Sequence, residues 1–158
     1  MKPLRTLAAL LAAAAVLRAA PAAPQGYPTP TGEAVTDLAG VLDGAQEDSL
    51  TSLLARLRGE TGVDARVLTI RSLGDYRTGD PDLQRFANRL MNAWEVGDAQ
   101  RKDGALVVLA VADREVWVAL GAKYGPSFDE RMQGVVETEM VPRFREGAYG
   151  AGVVDGVR

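Results

Sequence analysis

The sequence predicts an α/β fold. It is a three-layer-like sandwich in which a small mixed sheet, a βαβ unit plus an antiparallel hairpin, is flanked by helices. Three observations carry this expectation. Val63–Ile70 and Ala105–Ala112 are apolar, β-branched runs of strand length. Between them Leu83, Phe86, Ala87, Leu90, Met91 and Trp94 form one stripe at helical spacing, so the two strands joined by this helix run parallel. Asp113-Arg114-Glu115 then turns the chain directly into the alternating Val116–Leu120, which makes the next strand antiparallel.

The remaining elements follow in order. Lys2 and Arg5, the apolar run Thr6–Leu17 and Ala20-Pro21-Ala22 have the three-part layout of a secretory signal peptide, with cleavage expected near Ala22. The apolar run is shorter than the roughly 20 residues a membrane helix needs. Pro24, Pro28 and Pro30 mark residues 23–34 as a Pro-rich extended linker, and the domain is expected over 35–158. Asp43 and Gln46 fit a capping box, Leu50, Leu53, Leu54 and Leu57 recur at helical spacing, and Gly59 and Gly62 supply the stop. Val63–Ile70 is then read as the first strand of the sheet. Arg71–Asp80 is a polar loop, and Asp80-Pro81 reads as an N-cap followed by proline in the first turn. Ser127 and Glu130 fit a second capping box, opening a helix with Met132, Val135, Val136 and Met140 that Pro142 breaks or kinks. A last helix, Ala148–Val157, meets no terminator before Arg158, which suggests that the natural protein continues.

Composition excludes several chemistries. The 158 residues include no cysteine and no histidine. Zinc sites of Cys and His, Ser-His-Asp triads and Cys-His pairs therefore cannot form. The formal charge of −3 becomes −6 once Lys2, Arg5 and Arg18 leave with residues 1–22. That balance argues against nucleic acid as a partner. No later segment is long and apolar enough to cross a bilayer. The chain reads as an exported domain, periplasmic, envelope-bound or extracellular.

No catalytic motif stands out, so the carboxylates are sorted by position. The run Ala105–Ala112 spans about 26 Å at about 3.3 Å per residue, so Asp103 and Asp113 lie at opposite ends and cannot share an ion. The first pole gathers Glu95, Asp98, Asp103 and Asp129, with Gly97, Gly104, Gly121 and Gly125 allowing close backbone approach. Hard oxygen ligands on loops suit calcium, and magnesium second, with fewer protein ligands. The plainer reading is that Asp103-Gly104 makes a turn and Asp129 favours a helix N-terminus. The second pole, at the C-terminal end of the parallel strands, holds Ser72, Asp75, Asp113 and Arg114. Open α/β sheets bind ligands there, although Asp113-Arg114 is also ordinary hairpin chemistry. Asp37 is free to cap, turn or coordinate. Trp94 and Trp117 sit on apolar periodicities and read as core, and the capping box accounts for Ser127 beside Lys123.

The order and spacing of several segments resemble the TPM domain, named after a thylakoid lumen protein, a photosystem II repair protein and a nematode receptor modulator. The carriers are Val35-Thr36-Asp37 with Ala39-Gly40-Val41-Leu42, Glu60-Thr61-Gly62, Phe86-Ala87-Asn88-Arg89-Leu90 and Trp94-Glu95-Val96-Gly97. They continue with Asp103–Leu109, Asp113-Arg114, Gly121, Val141-Pro142-Arg143-Phe144 and Gly147-Ala148-Tyr149. The family pattern usually reads Trp-Gly-Ile-Gly, so Glu95 departs from it, and Tyr124-Gly125 only approximates the aromatic between two glycines. The resemblance implies an exported or membrane-facing α/β domain, calcium binding in some relatives and phosphatase activity in plant ones. Many bacterial relatives continue into a membrane helix and a glycine-rich tail. By motif position it carries over Asp37, Asp103 and Asp129 as metal candidates. Asp98, from its place in the first pole, and Asp113, which the resemblance transfers only as part of the hairpin pattern, form a second tier. The expected function is a calcium-binding, protein-interacting factor in envelope assembly or maintenance, working with an envelope protein partner. The alternative is a metal-assisted acid phosphatase in which an Asp-bound cation polarises the phosphoryl group.

Overall fold

The computed structural model describes residues 26–158. The signal segment 1–22 and residues 23–25 of the linker lie outside the described residues. The sheet has four strands in the order β1-β2-β3-β4, with β1 Val35–Asp37, β2 Ala65–Ile70, β3 Ala105–Ala110 and β4 Glu115–Leu120. β1, β2 and β3 are parallel and β4 is antiparallel to β3. The α/β class, the βαβ unit and the hairpin are as the sequence predicts. The expectation that Val63–Ile70 opens the sheet is corrected by β1. Only Val35, Thr36 and Asp37 pair with Val67, Leu68 and Thr69, and three residues are too few for alternation to register.

Strand alternation divides two cores. Leu68, Ile70, Leu106, Val108 and Ala119 face α2, Leu83–Ala93, which buries Leu83, Phe86, Ala87, Leu90 and Met91. Val67 and Leu109 face the other layer, built by α1, Gly44–Thr61, and by the helices after β4. Helices α1 and α2 therefore cover opposite faces, although both crossovers step the same way along the sheet. One of the two must have the uncommon left hand. Trp94 and Trp117 pack against the α2 core, in agreement with their periodicity.

The helix ends show which local signals prevail. Asp43 and Gln46 form the expected capping box, and Gly62 ends α1 in the left-handed region at φ 75. Gly59 stays inside the helix. Asp80 is not the cap of α2. That role falls to Asp82, which accepts the Arg85 N–H at 2.7 Å. The Asp80 side chain is instead fully buried, taking the Tyr27 hydroxyl at 2.8 Å and Arg89 Nη1 at 2.7 Å. With the Trp94 Nε1–H donated to the Pro28 carbonyl at 2.8 Å and the Tyr27 ring 5.4 Å from Phe86, Tyr27 and Pro28 lie against α2. Tyr27 and Pro28 of the expected linker are thus packed onto the domain, while residues 29–33 are exposed.

The helix after β4 begins at Pro126, with Gly125 as its cap and no side-chain cap bond. The capping box expected at Ser127 and Glu130 is not formed, because Pro126 at the first helical position already sets the entry dihedral and places Ser127 inside the helix. Pro142 neither ends nor interrupts this helix. α3, Pro126–Val135, passes through a π-helical turn, Val136–Met140, into α4, Val141–Arg145. The Val141 N–H bonds to the Val136 carbonyl, and this wider turn gives room for a ring that would clash in a regular α-helix. α5, Tyr149–Val157, closes the layer, with Gly152 against Phe144 and Gly156 against Met140.

Candidate functional site

Asp103 and Asp113 do lie beyond opposite ends of β3, as strand length requires. Around Asp103 three loops are pressed together by glycines. A Cβ on Gly97 would lie 2.4 Å from the Gly104 nitrogen, and one on Gly104 would lie 2.3 Å from the Val96 carbonyl oxygen. One on Gly121 would lie 2.1 Å from the Lys102 carbonyl oxygen. Glu95 and Lys102 adopt left-handed φ values of 50 and 53 to bring the chain round.

The Asp103 side chain is 2% exposed. It receives Arg101 Nε at 2.6 Å, Lys123 Nζ at 3.9 Å and, on its other oxygen, the Asp98 N–H at 3.4 Å. Arg101 also donates Nη2 to the Gly62 carbonyl at 2.8 Å, linking this pole to the end of α1. Tyr124 donates its hydroxyl to the Asp103 carbonyl at 3.2 Å. Asp98 caps its own turn, one oxygen accepting the N–H groups of Gln100 and Arg101 at 2.9 and 2.7 Å. Asp64 supports the layer behind, accepting Gly97 N–H at 3.1 Å and Arg66 Nη2 at 2.9 Å. Beside these loops lies a cavity of ≈ 640 Å³ lined by Met91, Glu95, Gly97, Asp98, Lys102 and Gly121.

The electrostatics favour ionised carboxylates here. The Arg101 hydrogen bond, more than any other contact, holds Asp103 below the usual carboxylate range. Backbone N–H groups of Arg101 and Gln100 do the same for Asp98. For Asp64 burial pulls upward, but Arg66 and the Gly97 N–H outweigh it and the net shift is down. Each depressed pKa contributes stability that is full above the unfolded value of about 4 and is lost as pH falls through the folded value. The melting temperature is therefore expected to drop as pH falls from about 4 toward 2. Asp103→Asn should be less stable than wild type at pH 7 and should lose part of this acid slope. Thermal melts at neutral pH and across the acid range test both, and an unchanged slope in the variant would assign it to other groups.

Asp37 is not at this pole. It ends β1 opposite Thr69, four residues along β2 from the Ala65 register position that borders the Asp103 loops. Its carboxylate accepts the N–H groups of Gly40, Val41 and Leu42 at 3.0, 3.3 and 2.9 Å and the hydroxyl of the buried Thr69. Asp37 thereby folds the loop into α1. Asp113 is exposed in the hairpin, taking the Ser72 hydroxyl at 2.8 Å and the Leu73 N–H at 2.7 Å. Asp75 pairs with Arg71. Asp129 sits exposed in the first turn of α3, where the helix dipole favours it. The structure thus brings Asp98 and Asp103 together, sets Asp37 and Asp113 at the other end, and does not gather Asp37, Asp103 and Asp129 around one point. Among the described residues no cluster of three acidic groups stands ready for a metal ion. Sequence reasoning missed Asp64, Arg101 and Lys123 as partners of this pole. Arg101 two residues before Asp103 was visible, but no spacing rule marks it as an ion pair.

The fold and its loop pole define a class: a three-layer α/β domain whose carboxylates brace loops at both ends of the sheet. The TPM domain model matches residues 35–158, and the chain belongs to that family. The solution NMR structure of the N-terminal domain of a P. gingivalis protein is 34% identical, with a TM-score of 0.67, covering 78% of this chain and 76% of that one. Two further NMR structures share the fold. The N-terminal domain of the cg2496 protein of Corynebacterium glutamicum is 10% identical, with a TM-score of 0.61 over 83% of this chain and 79% of that one. The BA42 protein of the psychrophilic bacterium Bizionia argentinensis is 16% identical, with a TM-score of 0.58 over 73% and 76%. No curated protein matches the chain. Among the described residues no helix is long and apolar enough to cross a membrane.

Proposed function

We propose that this TPM domain is an exported, non-catalytic module that binds a protein partner in the cell envelope and responds to calcium at its Asp103 pole. The observation that carries the reading is the employment of the carboxylates. Asp37 is consumed by backbone N–H groups and Asp103 by Arg101, so these groups hold loops in shape rather than face a substrate. Asp103 and Asp98 each keep an oxygen that receives at most one long contact, and Glu95 is exposed beside them. This oxygen-only donor set is of the kind calcium takes, completed by carbonyls and water, and magnesium is the weaker candidate. Arg101 and Lys123 already pair with Asp103, so a divalent cation enters by displacing the guanidinium. The metal-assisted phosphatase reading is the poorer one, since neither pole presents a free carboxylate nucleophile with an adjacent base.

The test is a thermal melt in calcium, magnesium and EDTA, alongside a phosphatase assay on highly purified protein. Calcium is expected to raise the melting temperature without turnover. Arg101→Gln, which removes the competing cation, is expected to lower the starting stability while enlarging the calcium-dependent rise. Metal-dependent turnover abolished by Asp103→Ala would favour the phosphatase instead, and no response to either cation would mean that this pole binds no metal.

A further inference from the structure

β4 lies at the edge of the sheet, and among the described residues no strand pairs with its outer side. The Gly121 N–H donates to the Gly104 carbonyl, while Ala105 stands opposite Leu120 and Ala110 opposite Glu115. That phase turns the backbone groups of Val116, Val118 and Leu120 away from β3. Among the described residues no hydrogen bond reaches them. From Val116 to Leu120 the edge carries no proline, no charge and no bulge, the usual devices against pairing.

At the start of this edge, on the α1 and α5 face, a cavity of ≈ 550 Å³ opens between the hairpin and the α4–α5 junction. Its walls are apolar: Leu109, Val116 and the stacked rings of Phe144 and Tyr149, with centroids 5.5 Å apart. Arg114 and Arg145 line the same cavity. Arg143 nearby is paired with Asp155 and Glu146, whereas among the described residues neither Arg114 nor Arg145 has a carboxylate partner. Arg114 is held in the left-handed region at φ 59, where asparagine or glycine would be the easier residue. An unpaired strand edge leading to an apolar cavity with two free guanidinium groups has a specific complement. It is an extended chain that ends in an apolar residue and a carboxylate.

We propose that the outer edge of β4 and this cavity bind the carboxyl-terminal segment of a partner polypeptide. The segment's backbone pairs with Val116–Leu120, its last apolar side chain enters the cavity, and its terminal carboxylate is held by Arg114 and Arg145. This rests on the protein-binding part of the function proposed above and gives that partner a chemistry. It makes no use of the Asp103 pole.

The test uses the purified protein, labelled with ¹⁵N, and a pool of random hexapeptides with free α-carboxylates, against the same pool as α-amides. The free-acid pool is expected to shift the amides of Glu115–Leu120 and of Phe144–Tyr149, and the amidated pool to bind roughly tenfold more weakly or worse. The double variant Arg114→Asn with Arg145→Gln should lose binding by a similar factor while melting no lower than wild type, since both side chains are exposed and asparagine suits the left-handed position 114. Equal binding of acid and amide pools, shifts that avoid β4, or no shift at millimolar peptide would each overturn the proposal. So would β4 shifts that appear with protein concentration alone, which would mean that the edge pairs with a second copy. A calcium-dependent melt that persists through such a failure would leave the cation part of the proposed function standing.

Discussion

Alanine at position 121 is expected to destabilise the domain by about 3 kcal/mol, the upper part of the range for forcing atoms into a packed interior. Gly121 is buried, and the added Cβ would sit 2.1 Å from the Lys102 carbonyl oxygen and 3.1 Å from the Asp103 nitrogen. The oxygen cannot simply retreat. Lys102 is already in the left-handed region, and its carbonyl accepts the Lys123 N–H at 3.1 Å. Relief requires the Gly121–Gly125 loop and the Lys102–Gly104 segment to separate, which also loosens the contacts around Asp103. Gly134→Ala is the control of opposite sign. It lies in α3 with nothing within 4 Å of the added carbon, and helix propensity predicts a gain of up to about 1 kcal/mol. Urea unfolding of the three proteins checks the pair. A Gly121→Ala variant within about 0.5 kcal/mol of wild type would mean that the loops at this pole are not held by close approach.

Asp37→Ala is expected to cost about 3 kcal/mol, by a different route. The carboxylate collects three backbone N–H groups and the hydroxyl of Thr69, whose residue is fully buried and whose oxygen in turn accepts the Ala39 N–H at 3.2 Å. Removing it leaves the Gly40, Val41 and Leu42 N–H groups without their shared charged acceptor and the buried Thr69 hydroxyl without its own, so the Leu38–Leu42 loop loses what folds it. The loss should be the same in calcium and in EDTA, because this carboxylate faces N–H donors and belongs to the opposite end of the sheet. A destabilisation seen only in calcium would return Asp37 to the metal candidates. Chemical denaturation in both buffers decides the matter.

Long periodic segments of this chain were readable and short or long-range features were not. The α2 stripe, the paired strands β2 and β3 and the hairpin into β4 each repeat a pattern over six or more residues. β1 has three residues and shows no period. Two helix starts were misplaced because the motif had a competitor nearby: Asp82 two residues after Asp80, and Pro126 just before Ser127. In the first case tertiary structure recruited Asp80 for Tyr27 and Arg89, partners 53 and 9 residues away. The separation of Asp103 from Asp113 followed from strand length alone. Where Asp37 belongs did not, because it depends on the pairing of β1 with β2. Nor did the neutralisation of Asp103 by Arg101 and Lys123, which depends on two loops meeting through glycines.

A calcium titration followed by backbone amide shifts decides whether cation response belongs to the Asp103 pole while Asp37 serves the fold. Movement is expected at Glu95–Gly104 and at Gly121–Tyr124, with Gly40, Val41 and Leu42 unmoved. Shifts at Gly40–Leu42 without any at Asp98 and Asp103, or none anywhere, would contradict it.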